Sequence, residues 1–465
     1  MKRGVNKKVL FILAGDILLL WLALWTALSL RSYAGPDEKL LLERLHRIPF
    51  SIIFFVWLLA LGAFGMYELR IMKNSRVFLW RLMQAMALNV ILAITILYLF
   101  PFSIEPRRNL FVIAALAAMF IFLWRSLFNL FIARAPVSRV LFSGITREAI
   151  MLADFMRAHP QVGYAAAGFV SGEKEPIESI PPAPVPFPHF LLGEKSLSHI
   201  VRDTRADTIV IAPEMKGDKA LVSALLSVIP QGISVAEFPA FHEMLTGKVP
   251  HSLIAEIWFL ENLIGIKKPA YERAKRAIDI ALAITAGIPA LLLLPAIAAA
   301  IKLSSPGPVF FRQKRVGKGG KIFEIIKFRS TYRTSVPAGE GWEKKTETEN
   351  GVYTRVGLFL RKSYLDELPQ LINILKGEMS FVGPRPERPE FVERLKEIVP
   401  FYDMRLLVAP GATGWAHIHM ENDASAAHAP EKMQYDLYYI KNRALILDLL
   451  IMLRTASALI RRQGR

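Results

Sequence analysis

Four long apolar runs open the sequence. They cover residues 9–30, 49–67, 82–100 and 110–133, with few charged side chains in each. The hydrocarbon core of a bilayer is about 30 Å thick, so a helix needs about 20 apolar residues to cross it. The pattern predicts a bundle of four transmembrane helices within residues 1–136.

Basic residues set the expected orientation of this bundle. The head of the chain carries Lys2, Arg3, Lys7 and Lys8, and the loop before the third run is also basic. Because basic loops stay in the cytoplasm, both segments and everything after residue 135 are predicted to lie on the cytoplasmic side. The first outer loop is basic as well, which weakens the contrast.

Asp16 lies inside the first apolar run. An acidic residue within a membrane span is costly and is by default a functional suspect. The alternative, which we favour, is that Asp16 faces a polar neighbour within the bundle.

Residues 137–240 show a different pattern. Short apolar segments at 139–142, 165–170, 208–212 and 233–238 alternate with helical patterns at 147–159, 197–204 and 221–229. This alternation predicts an α/β domain with a parallel sheet. The first turn, at 143–146, retains only Gly144 where a dinucleotide-binding loop needs G-x-G-x-x-G, so no bound dinucleotide is expected.

Two further segments lead to the carboxyl-terminal region. Residues 241–268 are predicted to be a connector, with an amphipathic patch at 254–264 placed against lipid. The apolar core at 277–301 is long enough to span a membrane, but Pro289 and Pro295 interrupt it. Basic residues flank both of its ends, which favours two cytoplasmic ends; a fifth spanning helix is the alternative.

The composition fits a membrane protein with anionic ligands. The chain has 465 residues, of which 53% are hydrophobic, with a mean hydropathy of +0.34 and a net charge of +18. That charge favours anionic lipid headgroups and nucleotide diphosphates. Nucleic acid is not an expected partner, because no nucleic-acid module is recognised. The absence of cysteine excludes disulfides, thiolate zinc sites and cysteine nucleophiles.

The candidate chemistry is concentrated at residues 327–386. Two adjacent carboxylates stand among basic residues: Asp366 and Glu367 with Lys327, Arg329, Arg361, Lys362 and Arg385. A helix that starts at Pro369 and ends before Gly377 places both carboxylates at the positive end of its dipole. Ser363 with Asp366 also fits a capping box that has no further role. The rigid GPRP turn favours instead a site for a divalent metal and a phosphate-bearing substrate.

Three long motifs carry a resemblance to a known family. They read SPGPVFFRQKRVGKGGKIFEIIKFRS from residue 305, RKSYLDELPQLINILKGEMSFVGPRPE from residue 361 and YDLYYIKN from residue 435. Over residues 269–465 the chain resembles the monotopic phosphoglycosyl transferases. These bacterial sugar transferases move a phosphosugar from a nucleotide sugar to a polyprenyl phosphate, such as undecaprenyl phosphate.

The resemblance implies a role for each candidate residue. Asp366 attacks the β-phosphate of a UDP-sugar and releases UMP, with Glu367 as its partner and both carboxylates as ligands of Mg²⁺. The phosphosugar then passes to polyprenyl phosphate and begins a lipid-linked glycan for exopolysaccharide, capsule or O-antigen. Phosphate binding falls to Arg385, Arg361, Lys327 and Arg329, and supporting roles fall to Asp436 and Asp448.

The resemblance also implies an architecture. An α-helical four-span bundle and a Rossmann-like α/β domain precede an α+β catalytic domain, in which residues 273–303 form a re-entrant membrane helix broken at Pro295. The protein lies in the bacterial inner membrane with both soluble domains in the cytoplasm, and such an α/β domain is compatible with a homodimer. Four positions depart from the family pattern: Leu294 replaces a serine, Thr331 a methionine, His417 a glutamine and His419 an asparagine. The histidines either touch the substrate or merely replace amides on a loop, which we favour.

Two other functions fit parts of the sequence. Four spans with a Rossmann-like domain also occur in membrane-bound nucleotide-sugar dehydratases, which need an intact dinucleotide fingerprint and a Tyr-x-x-x-Lys pair. The third interpretation is a non-enzymatic membrane scaffold. Loss of Asp366 leaves a scaffold's function intact and abolishes a transferase's.

Overall fold

The computed structural model describes residues 3–31, 36–67, 76–99, 109–134, 137–171, 187–250, 259–260, 262, 268–332, 353–420 and 428–460. The chain divides into two compact units, Met1–Thr246 and Gly247–Arg465. The first unit carries the four apolar runs and the α/β segment, and the second carries the acidic pair. This division is coarser than the four predicted segments.

Four long helices form the first part of the amino-terminal unit. They are α1 (Arg3–Arg31), α2 (Pro36–Ala63), α3 (Arg76–Leu99) and α4 (Asn109–Arg134). Each contains most or all of one predicted apolar run, so the predicted helical bundle is confirmed. Among the described residues of both units, five helices are long and apolar enough to cross a membrane. They indicate a membrane protein.

Asp16 is fully buried between two of these helices. Its Oδ2 accepts a hydrogen bond from Nη2 of Arg125 at 2.5 Å, and both side chains are at most 1% exposed. Arg125 also donates to the carbonyl of Met66 at 2.5 Å. The interpretation that Asp16 faces a polar neighbour inside the bundle is confirmed, and the pair joins α1 to α4.

A five-stranded sheet follows in the same unit. Its strands are β1 (Ser138–Ser143), β2 (Tyr164–Ser171), β3 (His189–Leu191), β4 (Thr208–Ile211) and β5 (Ser234–Glu237), in the order β3-β2-β1-β4-β5. The helices are α5 (Arg147–Ala158), α6 (Leu197–Thr204), α7 (Lys219–Val228) and α8 (Phe238–Thr246). All four strand pairings are parallel. The predicted α/β alternation is therefore confirmed; β3 was missed because three residues are too few to show a period.

The predicted connector at 241–268 is described only in part. Its first residues continue α8, and most of the patch at 254–264 lies outside the described residues. Phe259 is described: it is 7% exposed, and its ring centroid lies 4.7 Å from that of Phe401. The predicted placement against lipid is wrong for Phe259, because the ring belongs to a buried cluster of the carboxyl-terminal unit.

Helix α9 (Pro269–Ser304) is the longest element of the carboxyl-terminal unit. It runs through both Pro289 and Pro295. The predicted break at Pro295 is therefore not seen as an interruption of the helix. A proline within a helix removes one backbone donor and bends the axis without necessarily ending the element.

Both ends of α9 pack on the same unit. In the first part of the helix, Arg276 donates to the carbonyl of Ile374 at 2.5 Å, and Ala283 joins a buried cluster with the same isoleucine. Ile297 and Ile301 join another cluster with Leu360 near the end of the helix. Between these contacts, residues 284–293 include no buried position. The middle of the helix therefore projects away from the core that holds its ends.

The rest of this unit mixes short helices with two small sheets. The helices are α10 (Arg355–Lys362), α11 (Gln370–Lys376), α12 (Pro389–Ile398), α13 (Trp415–His419), α14 (Ala429–Asn442) and α15 (Leu445–Ile460). One sheet is the antiparallel pair β6 (Phe310–Val316) and β7 (Ile322–Phe328), and the other is the parallel pair β8 (Ser380–Val382) and β9 (Gly411–Thr413). The unit agrees with the predicted α+β domain.

Gly357 allows α10 to approach the chain that follows β7. A Cβ atom at this position would lie 1.9 Å from the carbonyl oxygen of Ser330. We expect Gly357→Ala to lower the free energy of unfolding by about 2–3 kcal/mol, because no side-chain rotation relieves an overlap with backbone. Thermal unfolding in detergent would measure the loss. Gly287→Ala is the matched control in α9, where no atom lies within 4 Å; equal melting temperatures for the two variants would contradict the close approach.

Candidate active site

The acidic pair lies in a tight turn ahead of a short helix. Tyr364 takes a left-handed backbone conformation with φ 57°, and Leu365–Glu367 then form a single 3-10 turn before α11. Gly377 ends α11 with φ 84°, so the predicted helix and its bounds are confirmed. The capping-box alternative is wrong, because the hydroxyl of Ser363 donates backwards to the carbonyl of Phe359 at 2.7 Å and closes α10.

Glu367 is held by two cations. Nζ of Lys327, on β7, lies 2.6 Å from Oε1 of Glu367, and Nη2 of Arg385 lies 3.6 Å from the same oxygen. Burial favours the neutral acid, but the two positive charges outweigh it and lower the pKa of Glu367 to about 2. Glu367 is therefore a fixed anion at neutral pH.

Asp366 forms no ion pair within the part of the chain that the structure describes. Burial and the negative charge of Glu367 raise the pKa of Asp366 to about 6, while Lys327 and Arg361 act in the opposite direction. Two adjacent carboxyl groups thus titrate far apart because their surroundings differ. Such a difference divides their roles, with one anion fixed in place and the other carboxylate available for chemistry.

Both carboxylates line a cavity of about 260 Å³. Its walls come from β6, β7, α10, the acidic turn, the GPRP loop (Gly383–Pro386) and α13. The lining residues are Phe311, Gln313, Arg315, Lys327, Phe328, Ser330, Thr331, Tyr353, Arg361, Tyr364, Asp366, Glu367, Arg385 and His417. The structure therefore brings together five of the predicted site residues. Four basic side chains against two acidic ones make this wall positive overall, which suits an anionic ligand.

Arg329 does not line the cavity. It is 2% exposed, and its guanidinium donates to the backbone carbonyls of Ser305 at 2.7 Å and Pro306 at 2.5 Å, just after the end of α9. β7 ends at Phe328, so the alternation that aims Lys327 at the cavity does not extend to Arg329. The structure corrects its predicted phosphate contact: Arg329 anchors the chain that leaves α9.

Asp436 and Asp448 also lie outside the cavity wall. Asp436 accepts a hydrogen bond from Nη2 of Arg405 at 2.9 Å. Asp448 accepts from the hydroxyl of Tyr271 at 2.8 Å and from Nζ of Lys275 at 3.0 Å. Both acids are at most 4% exposed, so they act on the site only through the side chains that they hold.

Comparisons with known proteins agree with this geometry. The family model described as bacterial sugar transferase matches residues 270–462. The UDP-N-acetylgalactosamine-undecaprenyl-phosphate N-acetylgalactosaminephosphotransferase of Aeromonas hydrophila is 41% identical over 235 residues, which are 49% of this chain and 53% of that protein. The exopolysaccharide production protein ExoY of Rhizobium meliloti is 35% identical over 222 residues, which are 44% of this chain and 94% of that protein. The chain belongs to the bacterial sugar transferase family.

The likeness within this sugar transferase family also reaches upstream of residue 270. The UDP-glucose:undecaprenyl-phosphate glucose-1-phosphate transferase of Klebsiella pneumoniae is 31% identical over 331 residues, which are 68% of this chain and 66% of that protein. The matched segments thus span about half of the Aeromonas relative's length and just under two thirds of the Klebsiella relative's.

The cavity residues that were not singled out from the sequence include Gln313, Arg315, Tyr353 and Tyr364. Phe311, Gln313 and Arg315 alternate along β6 and share one face, so a period of two was the available signal. Tyr353 gave no local signal, because a bridge to Thr331, which is distant in sequence, brings it to the site. The guanidinium of Arg361 lies 4.2 Å from the centroid of the Tyr353 ring, a cation–π contact.

The two histidines have different surroundings. His417 lines the same cavity as Glu367. Nδ1 of His419 lies 2.8 Å from the carbonyl oxygen of Trp415, and its ring stacks on Tyr435 with centroids 5.2 Å apart. The contacts of His419 fit the interpretation that it replaces an amide on a loop, whereas for His417 both interpretations stay predictions.

The donor set for a metal consists of the acidic pair. Among the described residues, no group of three or more histidine and acidic side chains could hold a metal ion. Mg²⁺ is commonly bound by one or two carboxylates with waters and substrate phosphates. Asp366 and Glu367 fit that pattern, because among the described residues Asp366 forms no ion pair, and Lys327 and Arg385 both contact Oε1 of Glu367.

Proposed function

We propose that this protein transfers a phosphosugar from a UDP-sugar to a polyprenyl phosphate of the undecaprenyl type and releases UMP. The observation that carries the proposal is the cavity in which Asp366, a carboxylate without an ion pair, faces four basic side chains. The names of the Aeromonas and Klebsiella relatives give undecaprenyl phosphate as the acceptor, and that of the Rhizobium relative gives exopolysaccharide production. The product would begin a lipid-linked glycan for exopolysaccharide, capsule or O-antigen.

Asp366 is the proposed nucleophile. An oxygen of its carboxylate attacks the β-phosphorus of the UDP-sugar, an O–P bond forms, and the bond from that phosphorus to the bridging oxygen breaks. UMP leaves with the electron pair. A phosphate oxygen of the polyprenyl phosphate then attacks the same phosphorus and releases the carboxylate. A carboxylate nucleophile thereby divides one difficult displacement into two easier ones.

The basic residues manage the negative charge of the reacting groups. Arg385 and Arg361 carry planar, permanently charged groups that match phosphate oxygens. Lys327 holds Glu367 as an anion at 2.6 Å, so Glu367 orients the site and does not attack. When Mg²⁺ is bound by Asp366 and Glu367, it supplies further neutralisation of the diphosphate.

We propose that α9 enters the cytoplasmic leaflet and returns. A straight helix from Ala283 to Ile301 would be about 27 Å long, close to the thickness of the hydrocarbon core, yet both residues are buried against the same unit. A helix that crossed the bilayer would carry these two residues to opposite sides. A bend at Pro295 reconciles the contacts with the exposed stretch between them. It also keeps the cavity in the cytoplasm, where nucleotide sugars are found.

We propose that the five-stranded sheet of the amino-terminal unit, with its helices, is a Rossmann-like domain that binds no dinucleotide. The strand order β3-β2-β1-β4-β5 is that of the doubly wound fold, while the first turn retains only Gly144. We assign this domain to the cytoplasmic side of the bacterial inner membrane. Its proposed role is in assembly, in which two copies of the chain form a homodimer.

The experiment that tests the function measures UMP release from protein in nanodiscs. The assay contains Mg²⁺, polyprenyl phosphate and one labelled UDP-sugar at a time, and the lipid fraction is extracted in parallel. UMP and labelled lipid diphosphosugar in equal amounts support the proposal and identify the donor. UMP without labelled lipid, or no release with any UDP-sugar from protein that binds UDP, contradicts it.

The pH dependence of turnover follows from the nucleophile. Since the pKa of Asp366 is about 6, the reactive carboxylate is lost as the pH falls below that value. We expect kcat/KM for the UDP-sugar to fall about tenfold per pH unit on the acid side, with its midpoint near 6 at low Mg²⁺. Saturating Mg²⁺ should move the midpoint downwards, because a bound cation favours the ionised carboxyl. A pH–rate profile at two Mg²⁺ concentrations checks this. A midpoint that is the same at both concentrations argues against Asp366 as a ligand of Mg²⁺.

A further inference from the structure

The loop that carries Arg385 is fixed along its length. Four successive backbone carbonyls accept hydrogen bonds, two from backbone amides and two from guanidinium groups. The donors are Gly411 N to Pro384 (2.9 Å), Arg405 Nη2 to Arg385 (2.8 Å), Arg315 Nη1 to Pro386 (2.9 Å) and Val316 N to Glu387 (2.9 Å). Arg405 thus holds the peptide carbonyl of the residue that approaches Glu367.

Arg405 is itself held from three directions. Its Nε and Nη2 donate to Oδ2 of Asp436 at 3.2 and 2.9 Å, and its Nη1 donates to the hydroxyl of Tyr402. The side chains of Arg405 and Asp436 are 3% and 1% exposed. Although burial opposes the charge, Tyr402 and Asp436 raise the pKa of Arg405 above its ordinary value. The guanidinium group of Arg405 is therefore charged, buried away from water and held in one place by Asp436 and Tyr402.

The loop also packs closely against neighbouring backbone at its first residue. A Cβ at Gly383 would lie 2.3 Å from the carbonyl oxygen of Ala409, and one at Gly411 would lie 2.1 Å from the amide nitrogen of Gly383. The loop is thus pressed against β9 on one side and tied to Arg405 on another. The side chain of Arg385 is 30% exposed and reaches the cavity.

A buried ion pair is a poor way to gain stability, because desolvation of two charges offsets their attraction. What such a pair supplies reliably is geometry. Here that geometry ends at the backbone of Arg385, whose side chain lies 3.6 Å from Glu367 in the cavity. Displacement of a catalytic group by about 1 Å costs a reaction about 100-fold, so a restraint on this carbonyl acts directly on the site.

We propose that Arg405, oriented by Asp436, is a positioning residue that sets where the Arg385 guanidinium meets the substrate phosphates. The proposal rests on the function proposed above. Arg405 contacts no substrate in this scheme; it acts through one hydrogen bond to the carbonyl of Arg385. Asp436, predicted only as a supporting residue, thereby gains a defined target.

A double-mutant cycle between Arg405→Lys and Arg385→Ala tests the proposal. Lysine keeps the positive charge, but its single nitrogen cannot contact Asp436, Tyr402 and the carbonyl of Arg385 together, as the guanidinium group does. We expect Arg405→Lys alone to lower kcat/KM for the UDP-sugar about 10- to 100-fold. In the Arg385→Ala background the same change should lower it by no more than about threefold, because the residue through which it acts is gone. Asp436→Asn should show the same dependence on Arg385, and it serves if Arg405→Lys does not fold.

The control is Arg443→Lys. Arg443 is also 3% exposed, donates to the carbonyl of Ile440 and pairs with Glu272, none of which lines the cavity. It should match Arg405→Lys in lost melting temperature and keep wild-type kcat/KM. Multiplicative losses in the cycle, or equal losses for Arg405→Lys and Arg443→Lys, overturn the positioning role. Full activity of Arg385→Ala instead removes Arg385 from the proposed function, a result that the single variant distinguishes.

Discussion

Asp366→Asn should abolish transfer while leaving the protein folded. Asparagine has nearly the same shape, but its amide cannot form the O–P bond, so we expect kcat to fall by at least about 10³-fold. The pKa of Asp366 is raised by burial and by Glu367, which means that its ionised form opposes folding at neutral pH. The neutral amide removes that opposition. The variant should therefore melt at the same temperature as the wild type or higher near neutral pH, and the difference should vanish near about pH 4.

Two assays separate this result from its alternatives. UMP release and thermal unfolding are measured on the same preparation, with Asp403→Asn as the matched control. Asp403 is 58% exposed and pairs with Lys396 at the surface, so its loss should change neither readout. If Asp366→Asn turned over at the wild-type rate, the nucleophile assignment would be lost, and only the role of Asp366 as a metal ligand would stay as a proposal.

Lys327→Met should reduce both stability and transfer. It leaves the Glu367 carboxylate buried with Arg385 as its nearest cation at 3.6 Å. Breaking a buried pair commonly costs 3–5 kcal/mol; with both side chains about a fifth exposed, we expect about 3 kcal/mol. Transfer should fall about 100-fold, because Glu367 and Arg385 lose their fixed positions. Since Lys327 lowers the pKa of Glu367, the stability difference from the wild type should shrink as the pH falls from about 5 towards 2.

The double variant Lys327→Met, Glu367→Gln identifies the cause. Removing the stranded charge should restore much of the free energy of unfolding without restoring transfer. Lys396→Met is the surface control: Lys396 pairs with Glu393 and Asp403, is 36% exposed, and should stay within about 0.5 kcal/mol of the wild type. Recovery of transfer in the double variant would show that the Lys327–Glu367 pair does not position the site.

Local patterns predicted much of this fold because its elements are long or strictly periodic. The four apolar helices needed only hydrophobic length, and α11 needed only Pro369 and Gly377 at its ends. The acidic pair was found because a rigid GPRP turn stood near it in the sequence. These signals lie within a few residues of the feature that they predict.

The missed residues depend on contacts between distant parts of the chain. Arg329 was assigned to phosphate binding together with Lys327, but β7 ends at Phe328 and the arginine is buried against backbone carbonyls. Tyr353 reaches the cavity through its bridge to Thr331. The hydrogen bond from Arg405 to the carbonyl of Arg385 spans 20 residues and connects a 3-10 turn to a loop. No sequence pattern around Arg405 or around Arg385 predicts that these two residues form a hydrogen bond.

The two residues of the buried pair, Asp16 and Arg125, are synthesised and inserted into the membrane at different times. The two residues are 109 positions apart, so at about 5–20 residues per second the arginine appears roughly 5–20 seconds after the aspartate. During that interval an acid in the hydrocarbon costs about 2.5–3.5 kcal/mol. The first helix therefore settles fully only when the fourth arrives. A chain interrupted before Arg125 therefore lacks the partner that neutralises Asp16 in the complete protein.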